Sequence, residues 1–153
     1  MTILTCTMLI ALFALAAVAV KRVPTGQVYS LYRYGKPVRL LQPGTHVVLP
    51  LLDRVGHRID LSGRVLRFDA SLAETKPVRG TVYWQVLEPE RADAVIEQAD
   101  QLIRHGAVDA LQAEDDELSP AERLEVAARL KSLLNQQLRE RGVMVTRVEL
   151  EAT

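Results

Sequence analysis

The sequence predicts an α+β fold: one apolar N-terminal helix, an antiparallel β-meander, two helices that cover it and a final strand. Three observations lead there. Residues 2–20 carry no charge. From residue 23 to 86, β-branched and aromatic runs alternate with turn residues. The apolar period then becomes helical over 89–141 and returns to alternation in "VMVTRVEL", residues 143–150.

The opening segment, "TILTCTMLIALFALAAVAV", would be roughly 28 Å long as a helix, enough to span the hydrocarbon core of a bilayer. A cleaved signal peptide is the competing reading, because the run ends in the small residues Ala17-Val18-Ala19. Such peptides normally open with a basic region, and here only the amino terminus is positive, so residues 1–21 are read as a retained anchor. Lys21 and Arg22 follow at once, which favours an outside N-terminus and a cytoplasmic body, with a periplasmic body as the alternative. The chain has 153 residues, of which 48% are hydrophobic and 25% charged. That leaves room for one packed domain, residues 22–153.

Each element of that domain has a local cause. "QVYSLYRYG" reads as a strand, Gly35-Lys36-Pro37 and Pro43-Gly44 as turns, and "HVVLP", "RVLRFDA" and "GTVYWQV" as further strands. "PERADAVIEQADQLIRHGAVDAL" places Ala92, Val95, Ile96, Ala99, Leu102 and Ile103 on one helical face, with Gly106 as its weak point. Ser119-Pro120-Ala121-Glu122 is a capping-box signature, with Ser119 at the N-cap. The apolar face behind it runs through Leu124, Ala127, Leu130, Leu134 and Leu138, and Gly142 stands where a C-terminal glycine belongs.

Charge and composition exclude several functions. The net charge is zero and no aromatic-basic stripe appears, so a nucleic-acid partner is not expected. The zero conceals an asymmetry. Residues 21–60 carry seven Lys/Arg against Asp53 and Asp60, whereas residues 88–125 carry twelve Asp/Glu against Arg91, Arg104 and Arg123. A basic segment beside an anchor suits anionic headgroups.

No catalytic residue, cofactor-binding residue or metal ligand is assigned. His46, His57 and His105 match no zinc spacing, and the single cysteine, Cys6, lies within the anchor. Ser62, His57 and Asp60 crowd one short β stretch without a nucleophile elbow. The acidic run at 114–117 lacks the alternating ligands of a calcium loop and reads as a linker between helices. Gly35, Gly44, Gly56 and Gly63 are scattered turn residues and form no phosphate loop.

The stretch "VPTGQVYSLYRYGKPVRLLQPGTHVVLPLLDRVGHRIDL" resembles the opening of the SPFH (band 7) domain of stomatins, prohibitins and flotillins. The matching order is a membrane segment, a basic strand pair, a Pro-Gly-x-His turn, an aliphatic-Pro segment and an Arg-Val-x-x-Ile-Asp strand. "GTVYWQVLEPERA" and "LRERGVMVTRVEL" are similar to later parts of the same domain. Two departures stand out. "DASLAETKPVRGTV" is several residues shorter than the usual strand-turn-strand, which implies a trimmed sheet edge with one strand missing or merged. The sequence also stops at Thr153, where members usually continue into a coiled coil, so autonomous ring assembly is not expected.

The resemblance implies a membrane-anchored, non-catalytic scaffold without cofactors. Its partners would be the lipid bilayer, further copies of the chain or a larger SPFH-family protein, and a membrane protein such as a protease. An accessory adaptor that docks on a larger member is the alternative, and hydrolase activity a remote third. The same resemblance lays the first β subdomain against the bilayer, with Val47, Val48, Leu49, Leu51 and Leu52 supplying the apolar face and Lys21 and Arg22 the charges. A charge at Val48 or Leu51 is therefore expected to weaken membrane contact more than folding. Packing of these aliphatics into the core is the competing assignment, since successive strand residues point to opposite faces.

Overall fold

The computed structural model describes residues 1–72, 76–114 and 118–152. The chain divides into two compact units, Met1–Asp60 and Leu61–Thr153.

In the first unit, α1 (Thr2–Ala19) is an unbroken helix with none of its residues buried. It runs without a linker into β1 (Val20–Val23), which pairs antiparallel with β4 (Gly44–Val47). Beside this ribbon, β2 (Gln27–Arg33) is the centre of a three-stranded sheet, flanked by β3 (Lys36–Leu41) and β5 (Asp53–Asp60). Val23, Leu31, Leu41 and Val48 pack together as a core, with Tyr29 against it.

The turn between β2 and β3 is Tyr34-Gly35, one residue earlier than the sequence suggests. Arg33 pairs with Lys36, and both intervening residues have positive φ, 53° at Tyr34 and 74° at Gly35. A two-residue hairpin of this hand matches the twist of its strands but usually takes Asn-Gly. Tyrosine in that conformation is strained. Lys36 and Pro37 are consequently strand residues, and proline is tolerated because β3 lies at the sheet edge.

In the second unit, β6 (Arg64–Leu72) and β7 (Lys76–Val86) pair directly from Arg64↔Trp84 to Leu72↔Lys76. β8 (Val143–Ala152) completes the sheet on the other side of β7. Alternation in β6 turns Leu66, Phe68, Ala70 and Leu72 inward and leaves Arg67 and Asp69 in solvent. α3 (Ala99–Gln112) packs over β6 and α4 (Pro120–Leu138) over β8. Between them they bury Ile103, Ala107, Leu111, Val126, Leu130, Leu134 and Leu138 over Val82, Trp84 and Val145.

The helical region departs from the sequence reading in two places. The first helix is broken: α2 covers only Pro89–Ala92, and residues 93–98 form turns before α3 begins. Val95 N–H donates to Ala92 O and Gln98 N–H to Val95 O, both tighter i→i−3 bonds. The tightening buries Asp93 together with Ala92 and Ile96. On α4, Leu124 is exposed and Val126 is buried in its place. The inward arc through Val126, Ala127, Leu130, Leu134 and Leu138 is set by contact with β8, and Leu124 lies off it.

The capping box forms as the sequence predicts. Ser119 Oγ accepts from Glu122 N–H at 3.3 Å, and Ser119 N–H donates to Glu122 Oε2 at 2.7 Å. Ser119→Ala is expected to lower stability by about 1 kcal/mol, measured as a shift of the denaturant midpoint at unchanged slope. Further along α4, Asn135 grips β8: Val145 N–H donates to its Oδ1 at 2.7 Å, and its Nδ2 donates to Val145 O at 3.0 Å. That pair satisfies backbone groups beside the register shift at Tyr83/Trp84.

Candidate membrane-contacting site

The foot of α1 is where the chain's apolar and basic features meet. The β1–β4 ladder pairs Val20 with Val47 and Lys21 with His46. It is extended by one bond into the helix end, where Val48 N–H donates to Ala19 O at 2.7 Å. The segment after β4 therefore begins one hydrogen bond from the last residue of α1.

A tight turn follows, closed from both sides by one residue. Asp53 N–H donates to Leu49 O at 2.8 Å, and Leu49 N–H donates to Asp53 Oδ2 at 3.0 Å. Arg33 Nε holds the other carboxylate oxygen at 2.8 Å. The Asp53 side chain is only 3% exposed. The hydrogen bond from Arg33, then that from Leu49 N–H, holds its carboxyl below the usual carboxylate range. A group with a depressed folded-state pKa stabilises above its unfolded value and loses that contribution as pH falls through the folded one. The turn is thus expected to loosen below about pH 4. Asp53→Asn should flatten the acid limb of the melting temperature against pH while leaving the neutral-to-alkaline limb parallel.

With the turn fixed in this way, Val47 is 71% exposed, Leu49 50%, Leu51 90% and Leu52 40%. Val48 is the exception among the five aliphatics, at 3% exposed within the core of Val23, Leu31 and Leu41. Strand alternation turns it away from its neighbours, so it belongs to the interior and not to an outward apolar face. Lys21 and Arg22 are exposed on β1. Pro50 ends the extended run, since β4 stops at Val47 and residues 50–52 turn.

One residue of this surface is missed by sequence reasoning. Tyr34, at the hairpin tip, is 82% exposed and lines a cleft of about 440 Å³ with Pro50, Leu51 and Leu52. Its signal lies in the turn chemistry: a bulky aromatic stands in a position that normally takes asparagine.

The other residues weighed from sequence are dispersed. His46 Nε2 donates to Gln42 O at 2.6 Å and so closes its own turn. His57 meets the Tyr32 ring edge-on, with centroids 5.6 Å apart. His105 and Cys6 are exposed on α3 and α1. Among the described residues, no group of three or more His, Cys, Asp or Glu side chains is placed to hold a metal ion. Of the acidic run, residues 115–117 lie outside the described residues. α1 is long and apolar enough to cross a membrane.

Residues 21–153 match the SPFH domain / Band 7 family. The chain belongs to that family. The match begins at the first residue after the uncharged segment and covers the first unit from residue 21 onward and the whole of the second. An uncharacterized protein of the fission yeast Schizosaccharomyces pombe is similar at 29% identity over 100 residues, which is 62% of this chain and 28% of the relative. The aligned part thus spans little more than a quarter of that relative's length. As a Band 7 domain behind an apolar helix, the chain falls in a class of membrane-associated, scaffold-type proteins.

Proposed function

We propose that this Band 7 protein is a single-pass, non-catalytic membrane scaffold whose body is cytoplasmic and rests its first unit on the bilayer surface. The observation that carries the reading is the linker-free junction of α1 and β1, with the Ala19–Val48 hydrogen bond holding the 47–52 turn at the helix foot. If α1 spans the membrane, Val47, Leu49, Leu51 and Leu52 lie at the interface. Complete withdrawal of such a side chain from water is worth about 1.5–3 kcal/mol, and partial immersion proportionally less. Tyr34 then serves as an interfacial aromatic, and Lys21 and Arg22 reach the headgroups.

The scaffold acts by self-association in the membrane plane and by holding a client membrane protein, such as a protease. β6 and β8 end the sheet of the second unit, and end strands offer backbone groups for pairing with another chain. The accessory reading uses the same edges to dock on a larger SPFH-family protein.

The test is the mass of the membrane-extracted full chain in mild detergent, by light scattering with the detergent subtracted, together with its intact mass. A discrete assembly of many subunits supports the scaffold, and a monomer or dimer points to the accessory role. An intact mass lacking residues 1–21 overturns the anchor.

A further inference from the structure

A second cleft, of about 310 Å³, opens at the foot of α1 and combines two kinds of lining. Lys21 of β1 and Arg54 and Arg58 of β5 supply positive charge from two different strands. Val18, Val48, Pro50 and Val55 supply an apolar floor. Tyr29 stands at the same place, with the Arg58 guanidinium carbon 5.4 Å from its ring centroid, so that this cation is held over an aromatic face.

Asp53 is the one acidic residue of the lining, and its carboxylate is committed to Arg33 and to Leu49 N–H. The cleft therefore offers three cations to a guest against a carboxylate already engaged.

Depth identifies the guest. Val18 belongs to the last turn of α1, whose 18 residues make a helix of roughly 27 Å, close to the thickness of a bilayer's hydrocarbon core. Cations just beyond that turn lie at the level of lipid phosphates, and the floor beside Val18 lies at the level where acyl chains begin. We infer that this cleft binds the headgroup of one anionic phospholipid, its phosphate on Lys21, Arg54 and Arg58 and its glycerol and upper acyl carbons on Val18, Pro50 and Val55. Such a site differs from a diffuse basic surface in that exposed cations which do not line the cleft, such as Lys36 and Arg67, contribute little to it. The inference rests on the anchored reading above, because a chain without α1 in the bilayer does not bring the cleft to that depth.

The experiment is native mass spectrometry of the full chain in detergent micelles doped equally with phosphatidylglycerol and phosphatidylcholine. The expected result is retention of one phosphatidylglycerol in preference to phosphatidylcholine. Arg54→Gln and Arg58→Gln should each reduce that preference by about fivefold. Lys36→Gln and Arg67→Gln, which remove the same charge from exposed positions elsewhere, should leave it within about twofold. Equal losses from all four variants, or no preference in the native chain, overturn the site. Melting curves of each variant show whether a loss reflects folding. Inorganic phosphate and glycerol 3-phosphate, added at millimolar concentration, separate the two sources of a phosphoryl group: displacement of the lipid by either assigns the cleft to a soluble phosphate and overturns the lipid. An intact mass lacking residues 1–21 sinks the anchored reading itself, a result the lipid ratios do not mimic.

Discussion

Val48→Asp is expected to abolish the cooperative melt of the Met1–Asp60 unit, while Leu51→Asp, three residues away, should leave the melt within about 0.5 kcal/mol of the native chain. The difference follows from environment alone. Val48 is 3% exposed among Val23, Leu31 and Leu41, where a carboxylate would be unpaired and stripped of water. A buried unpaired charge costs several kcal/mol even after relaxation, a large fraction of the about 5–15 kcal/mol that holds a domain folded. Leu51 is 90% exposed, so its carboxylate stays hydrated. Its effect should appear only at the bilayer. In a Cys6→Ser background, an environment-sensitive fluorophore on Leu51→Cys should shift to the blue on reconstitution into vesicles and be quenched by brominated lipid. The same label on Arg67→Cys, an outward position of β6, should report water throughout. A Leu51 label that stays aqueous would remove the turn from the membrane surface. A native-like melt for Val48→Asp would mean that the core around Leu31 is not as packed as its burial indicates.

How far the site is legible in the sequence can be argued from these same residues. The uncharged run, the capping box at Ser119 and the strand at 143 are visible because each is a local device: hydropathy, one side chain reaching one backbone N–H, alternation. The aliphatic run at 47–52 is visible as greasy but not as directional. Whether Val48 or Val47 points inward depends on register, and register is fixed by the Val20↔Val47 pairing and by the Arg33 ion pair that holds Asp53 in the turn, both non-local. Tyr34 escapes for a similar reason. Gly35-Lys36-Pro37 is the stronger turn signal by composition, yet the Arg33↔Lys36 pair moves the turn back onto the tyrosine. The break after Ala92 carries no breaker residue, and the turns of residues 93–98 coincide with the burial of Asp93 and Ile96, which local sequence does not announce. Arg54 and Arg58 are legible as basic residues. Their meeting with Lys21 and Tyr29 requires the β2–β5 and β1–β4 registers together.

Gly142→Ala should be among the most damaging single substitutions in the second unit, and it separates two causes that usually travel together. Gly142 ends the 3₁₀ turn Arg139–Arg141 with φ 68°, a left-handed conformation that costs a side-chain-bearing residue roughly 1–2 kcal/mol. A Cβ there would also stand 2.4 Å from Glu88 O and 3.1 Å from Arg91 Cβ. The Glu88 backbone cannot yield freely. Leu87 N–H and Glu88 N–H both donate to Gly142 O, at 2.9 and 3.1 Å, so displacing either side of the junction strains both bonds. Each such bond contributes about 1 kcal/mol, which with the backbone term predicts a loss of roughly 3–4 kcal/mol. At Gly26, with φ 84°, an added Cβ would meet nothing within 4 Å, so Gly26→Ala should cost only the conformational part. Asparagine, which tolerates the left-handed region, discriminates further: Gly142→Asn relieves the backbone strain but keeps the collision with Glu88. Denaturant melts of the three variants decide the matter. If Gly142→Asn is nearly as destabilising as Gly142→Ala, the close approach of residues 87–91 to the end of α4 sets the requirement for glycine. A native-like Gly142→Asn would leave φ as the whole cause and would mean that the Glu88 junction can open without unfolding the sheet that β8 completes.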